Sequence, residues 1–453
     1  MNRLVNIINN QYKFILQDKE NPDYHIFFRS HDWIKKYHDD KKKIYKDYFK
    51  EYKNYEYNNS EISIFKTIEN CKYIPKKIIS KTKLNEIYEI ISNPEITDFN
   101  IIRKNLDEMY NYLLPSTINN LSEYENSINK NDINITILGC GPVGLYTALY
   151  LNEYYNKSNI FNFKINILLI DNRIKEEGIK MPYTRLTEFN FDNSEIVIFI
   201  KQIFCWKNKL MTTKVSQFDY INILENLFYL SAFHKKIKMY FTKKLETYDE
   251  LKKFSIKNNI NYIFDCTGGR ININFNNKIK WNDFKFKKDN YEVKLCNDNY
   301  YHFFVDNKLY ERISVVLQLL DNNKKEIPVG NIFGETNFEE DKKILDIYKN
   351  KCFTKNEYIK LSKYFKDSNL RNLLPRILDM MKYNLNNIKY IKLNYFITNS
   401  HHRNFCAKFV DKKFMYISLG DSLGNSEDYG QSFGMHHSIL FSKYICGLIG
   451  GFR

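Results

Sequence analysis

The sequence predicts an α/β fold, with helices first, then a strand, glycine turn, helix and strand unit from Asn131, and an inserted sheet region before a last strand and closing helix. Three observations carry this. None of the 15 glycines precedes Gly139, so the chain changes character there. The run Ile133 to Leu138 (INITIL) is β-branched and apolar enough for a strand buried on both faces. Before it, apolar residues recur at helical spacing.

In chain order, Ile64 and Ile68, then Leu84, Ile87, Ile90 and Ile91, then Ile102, Leu106, Tyr110 and Leu113 mark several short helices, interrupted at Pro22, Pro75, Pro94 and Pro115. A helix over Leu145 to Tyr155 and a strand over Lys164 to Ile170 complete the unit that begins at Asn131. Phe218 to Phe233 reads as a helix, and Ile237 to Phe241 and Tyr262 to Phe264 read as strands. Tyr291 to Leu320 alternates apolar and polar residues like strands, while Lys342 to Asn384 is mostly helical. Tyr395 to Asn399 and Phe414 to Leu419 are strands, and a closing helix starts near Gly434. The chain thus divides into a helical extension (1–130), a part built on the strand, glycine turn and helix unit (131–290), an inserted sheet and helix region (291–400) and a closing strand and helix part (401–453).

Composition excludes several classes of function. At 43% hydrophobic and 27% charged residues the chain has the balance of a folded protein and not of a disordered one. The net charge of +16 is spread along the chain, and Lys and Arg nearly balance Asp and Glu before residue 131, so no basic arm points to nucleic acid. The 8 cysteines stand singly, without CxxC or a metal-ligand spacing, which predicts no metal and a reducing, cytoplasmic setting. Met1 to Asn10 lacks the pattern of a secretory leader, and the longest apolar run, Ser438 to Phe452, is too short to span a bilayer.

Gly139-Cys140-Gly141-Pro142-Val143-Gly144 lies between a predicted strand and a predicted helix, where a Rossmann-type unit cradles a diphosphate. Gly139 serves the tight turn, Gly141 the close approach of the phosphates and Gly144 the packing of helix on strand. Asp171 ends the second strand, where a carboxylate accepts hydrogen bonds from ribose hydroxyls, and Arg173 is placed to cover the adenine or a phosphate.

Three segments, Ile137 to Leu151, Tyr262 to Arg270 and Tyr416 to Met435, hold nine of the 15 glycines. Together they resemble the class A, aromatic-hydroxylase-like flavoprotein monooxygenases, and the Gly-Asp-Ser-Leu wording is loosely similar to the MICAL monooxygenase domain. The resemblance implies a Rossmann-type FAD-binding fold with an inserted β-sheet substrate region. It implies a turn at Gly268, a Gly420-Asp421 strand end whose carboxylate holds the ribityl hydroxyls, and a helix whose start at Gly434 and Met435 meets the flavin's pyrimidine edge. Departures are Asn222 where the family commonly has Arg, His436 where Asn is frequent, and no proline after Gly-Asp.

With a single GxGxxG, the chain has no second permanent site for NAD(P)H, which the family admits transiently as a reductant. The implied activity is hydroxylation of a small-molecule or protein substrate by oxygen activated at flavin C4a. Arg185 and His402 are the candidate catalytic residues, each also readable as an ordinary surface or structural side chain. A flavin dehydrogenase or oxidase, and a non-catalytic binding protein on the fold of Rab GDP-dissociation inhibitors, are the alternatives.

Overall fold

The computed structural model describes residues 2–17, 65–66, 68, 75–96, 98–129, 131–156, 163–183, 194–204, 221–271, 287–288, 291–297, 300–305, 308–309, 311–324, 332–336, 338–375, 388–399, 401–403, 405–425 and 433–449. They form a mixed α/β structure. Helix α1 spans Asn2–Gln17, and strand β1 (Lys77–Ile78) precedes the pair α2 (Lys81–Ser92) and α3 (Phe99–Glu108). Ser80 and Asp98 start that pair by accepting the N–H groups of Lys83 and Asn100. Leu84, Ile87, Ile91, Ile102 and Leu106 are buried, as their spacing predicts.

The helical spacing continues to Tyr110 and Leu113, but the helix does not. After a tight turn at Met109–Asn111 the chain extends into β2, Tyr112–Pro115. There Leu113 pairs with Ile78 and Leu114 with Lys180, so ladder partners override the spacing.

A short helix α4 (Leu121–Glu125) leads to β3 (Ile133–Leu138), buried at all 6 positions, and α5 (Pro142–Leu151) carries the chain to β4 (Ile165–Asp171). A hairpin of β5 (Ile174–Glu176) and β6 (Ile179–Lys180) follows, then α6 (Ser194–Phe204) and α7 (Ile221–His234). Next come β7 (Lys238–Phe241), α8 (Tyr248–Lys257), opened by a reciprocal Thr247 and Glu250 cap, and β8 (Tyr262–Asp265).

The following stretch holds β9 (Lys287–Lys288), β10 (Tyr291–Asn297), β11 (Tyr300–Val305) and β12 (Lys308–Leu309). The strands β13 (Glu311–Leu320), β14 (Ile332–Thr336), β15 (Cys352–Thr354) and β16 (Tyr390–Asn399) form a separate antiparallel sheet in the order β14-β13-β16-β15. Its own core includes Leu317, Leu345, Tyr358 and Leu393, with helices α9 (Glu339–Tyr348), α10 (Lys355–Ser362) and α11 (Ser368–Arg371). The helical expectation for Lys342 to Asn384 is thus interrupted by β15, after Asn350 takes a left-handed turn (φ 63°) that no helix continues.

The chain ends with β17 (His401–Arg403), β18 (Ala407–Val410), β19 (Phe414–Ser418), β20 (Gly424–Asn425) and α12 (Phe433–Ile449). The main sheet runs β18-β19-β8-β3-β4-β7, parallel throughout except at the β18 edge. Its five parallel strands therefore lie, by chain order, third, second, first, fourth, fifth, and the progression reverses between β3 and β8. In open parallel sheets a crevice forms outside the carboxyl ends of the strands at such a reversal.

The N-terminal helices belong to the same core as this sheet: Leu4, Ile8, Ile87 and Leu106 pack in one cluster with Ile135, Leu145 and Leu227. Polar pins hold them there. Asn9 on α1 donates to the Ala407 carbonyl at 2.8 Å and accepts from the N–H groups of Cys406 (2.8 Å) and Ala407 (2.9 Å), capping the open edge of β18. Asn226 on α7 donates to the Leu106 carbonyl at 3.0 Å. Thr147 and Ser442 join α5 to α12 through their hydroxyls, and Tyr155, in the turn of helix after α5, donates its hydroxyl to the Cys446 carbonyl of α12. Among the described residues no helix is long and apolar enough to cross a membrane, and no group of three or more His, Cys, Asp or Glu is placed to hold a metal ion.

Candidate functional site

At the reversal between β3 and β8 lies a cleft of about 310 Å³. Parallel register brings four strand ends to its rim, because Leu138 pairs with Ile170 and with Asp265, and Asp265 pairs with Ser418. The strand ends and the turns that follow line it: Gly139, Gly141 and Pro142 after β3, Asp171 at the end of β4 and Arg173 after it, Gly268 and Arg270 after β8, and Gly420 and Asp421 after β19.

The glycines of the first turn do different physical work. Gly139 holds φ +93°, a left-handed value, and an added Cβ there would lie 2.5 Å from the Cys266 carbonyl oxygen. At Gly144 an added Cβ would lie 1.9 Å from the Gly139 carbonyl oxygen, so α5 reaches the turn only because that residue has no side chain. At Gly141 nothing lies within 4 Å. The position a side chain would fill is open space beside the start of α5, where Pro142 occupies the first turn and N–H groups have no carbonyl behind them.

Asp171 does not offer a spare carboxylate to this space. Its Oδ2 accepts the Cys140 N–H at 2.9 Å, its Oδ1 accepts the Arg173 N–H at 2.8 Å, and the Arg173 guanidinium closes on it at 2.9 Å. Behind the turn stand two residues that the sequence did not mark. Lys180, on β6, and Glu225, on α7, are both fully buried and meet at 2.5 Å, and Glu225 also holds Arg173 at 3.1 Å. Burial alone would raise the Asp171 carboxyl; the Arg173 and Lys180 charges overcome that and hold it well below the usual carboxylate range. The Arg173 guanidinium, despite its burial, is held above its usual value by Asp171 and Glu225. Arg173 also lies 5.9 Å from the Tyr183 ring centroid, an aromatic wall of the cleft.

On the other side Asp265 fastens two turns together. Its Oδ1 accepts the N–H of Thr267 (2.9 Å) and the hydroxyls of Thr267 (2.6 Å) and Ser422 (2.9 Å), and its Oδ2 accepts the Tyr416 hydroxyl. Ser422 in turn accepts the Gly269 N–H at 3.0 Å. Gly268 and Gly420 both take positive φ (72° and 65°), and an added Cβ on Gly268 would touch the Asp421 side chain at 3.8 Å. Desolvation by the surrounding protein raises the Asp421 carboxyl above its usual value even though the residue stays open to solvent, and the Arg270 charge offsets part of that rise.

No family model matches this chain, and no curated protein matches it either. Among solved structures, p-nitrophenol 4-monooxygenase PnpA from Pseudomonas putida DLL-E4 is similar over 70% of this chain and 79% of that one, at 9% identity and a TM-score of 0.29. So slight a likeness carries no argument about the reaction.

Of the residues singled out from sequence, Gly139, Gly141, Pro142, Asp171, Arg173, Gly268, Gly420 and Asp421 converge on the cleft, and Gly144 packs directly beneath it. Gly434 and Met435 open α12, and Asn222 is buried on α7. His402 lies on β17, in register with Tyr301 and Gly424. Arg185 falls outside the described residues. Glu225 had one signal, a charge inside the apolar helix segment INILENLFYL; Lys180 had none in a chain with 69 Lys and Arg.

Proposed function

We propose that this cleft is a Rossmann-type FAD site and that the chain is a flavin-dependent oxidoreductase, in its fullest form an NAD(P)H-dependent monooxygenase. One observation carries the reading. Gly141, with open space before it, and Asp421, from the last parallel strand, meet across a cleft at the reversal of a parallel sheet. The residues present fit such a ligand. The N–H of Gly141 and the first turn of α5 suit a diphosphate, Asp421 suits hydroxyl donors, and Arg270 gives the far wall a cation.

Bound there, the flavin supplies electron-transfer chemistry that no side chain has. The chain's own residues bind and orient it: Arg173 and Tyr183 at the adenosine end, Gly268 and Asp421 along the middle, and the opening of α12 at Gly434 and Met435 toward the pyrimidine edge. Arg185 and His402 are the candidate side chains for the substrate. Residues 131–290 and 401–453 then form the cofactor-binding body, with 291–400 as the substrate region and 1–130 as an extension.

The test is the absorption spectrum of the purified protein before and after anaerobic NADPH. The paired near-ultraviolet and blue bands of an oxidised flavin, bleached by NADPH, are expected. A colourless protein that also fails to take up added FAD overturns the proposal in favour of a binding protein on a related fold. Substrate-stimulated oxygen consumption separates hydroxylation from simple dehydrogenation.

A further inference from the structure

We infer that Lys180 and Arg173 are positioning residues for a bound diphosphate, acting through the Cys140–Gly141 peptide of the glycine turn. This rests on the reading of the cleft as a dinucleotide site. The carbonyl oxygen of Cys140 accepts two hydrogen bonds from cations, Lys180 Nζ at 2.9 Å and Arg173 Nη2 at 3.1 Å. The N–H of the same residue donates to Asp171 at 2.9 Å.

Four charges thus stand behind one turn: two cations (Lys180, Arg173) and two anions (Asp171, Glu225). A network serving stability alone is satisfied when its charges pair with one another, as these do. Here both cations also spend a donor on a single neutral carbonyl. Charge-assisted hydrogen bonds are about twice as strong as neutral ones, and bonds in a chain polarise one another. Electron density drawn onto the Cys140 oxygen leaves the N–H at the other end of that amide, which belongs to Gly141, a stronger donor. That N–H adjoins the open position in front of the turn.

Pro142 gives the effect its weight. Having no N–H, it removes a donor from the first turn of α5, so Gly141 carries more of any anion bound there. The arrangement also assigns work to the hairpin and to the N-terminal segment. Lys180 lies on β6 opposite Ile174 of β5 and Leu114 of β2, so the extension helps to hold in place the cation that acts on the turn.

The experiment uses the full chain, with ADP titrated by calorimetry and adenosine by saturation-transfer NMR. Lys180→Met is expected to weaken ADP binding about tenfold, or about 1.4 kcal/mol, and to leave adenosine within about twofold, since only the diphosphate meets the polarised amide. Lys180→Arg is expected to restore ADP binding in part.

Because Lys180→Met leaves the buried Glu225 carboxylate with Arg173 as its remaining charge partner, a second variant, Lys180→Met with Glu225→Gln, removes that excess charge and is expected to fold. It is expected to keep the ADP defect. A folded double variant that binds ADP as tightly as the wild type overturns the inference and leaves the dinucleotide site standing. Equal losses for ADP and adenosine overturn it in favour of a structural role. Failure of the wild-type chain to bind ADP at all overturns the site reading itself, and the inference with it.

Discussion

Gly141 and Gly144 stand three residues apart in one motif, and substitutions at them have opposite expected outcomes. Valine at Gly141 keeps an ordinary φ of −80° and projects into open space. The fold should survive within about 1 kcal/mol, while dinucleotide uptake, read from flavin absorbance after reconstitution, is lost. Alanine at Gly144 drives a methyl to 1.9 Å from a carbonyl oxygen. It should lower stability by about 1–3 kcal/mol or more in chemical denaturation. Asp421 carries a pH prediction. Its carboxyl is raised by desolvation, so its carboxylate is lost to a proton at a higher pH than an ordinary aspartate's. Flavin retention should fall as pH drops through that raised value, and Asp421→Asn should flatten the profile. For the protein without ligand the sign is opposite. The native state holds this proton longer than the unfolded chain, so stability declines as pH rises through the window between the two values. At this scale the glycine motif stood out by its local spacing and Asp421 by the family resemblance, and both line one cleft. Lys180 was not, since its partner Glu225 lies 45 residues away and only the fold joins them.

Elements divide along the same line. The strand over Ile133–Leu138 was readable to the residue, because burial on both faces leaves an unbroken apolar run. The hairpin of β5 and β6 was missed: Ile174–Glu176 and Ile179–Lys180 are too short and polar to signal a strand. Helical spacing also ran on past its helix at Tyr110 and Leu113, where β1 and β6 capture the chain. α1 was beyond the spacing argument, and what fixes it is Asn9. Replacing Asn9 with alanine removes three hydrogen bonds from the edge of β18 and leaves backbone groups there unsatisfied. A loss of about 1–3 kcal/mol is expected, with faster amide hydrogen exchange at Cys406 and Ala407 as the local readout. Thr247→Ala, which breaks the reciprocal cap of α8, should cost about 1 kcal/mol in thermal or denaturant unfolding.

For the whole molecule, the parallel sheet makes ligand and fold interdependent. Turns from four strands meet at one cleft, so a ligand seated there ties together the ends of β3, β4, β8 and β19. Saturating ADP at a hundredfold excess over its dissociation constant should stabilise the native state by about 2.7 kcal/mol, seen as a rise in melting temperature that the Gly141→Val protein does not share. The order of the main sheet was not readable from sequence. Its fifth parallel strand, Phe414–Ser418, lies far along the chain beyond a second sheet with a core of its own, and nothing in its residues names β8 as its neighbour.

That same separation bears on the protein's birth. A ribosome adding roughly 5–20 residues per second finishes the glycine turn at Gly139 to Gly144 tens of seconds before it makes Gly420 and Asp421. From the completion of β8 until β19 is made, β8 is paired with β3 on one side only and exposes the edge that β19 will later cover, beside a half-built pocket.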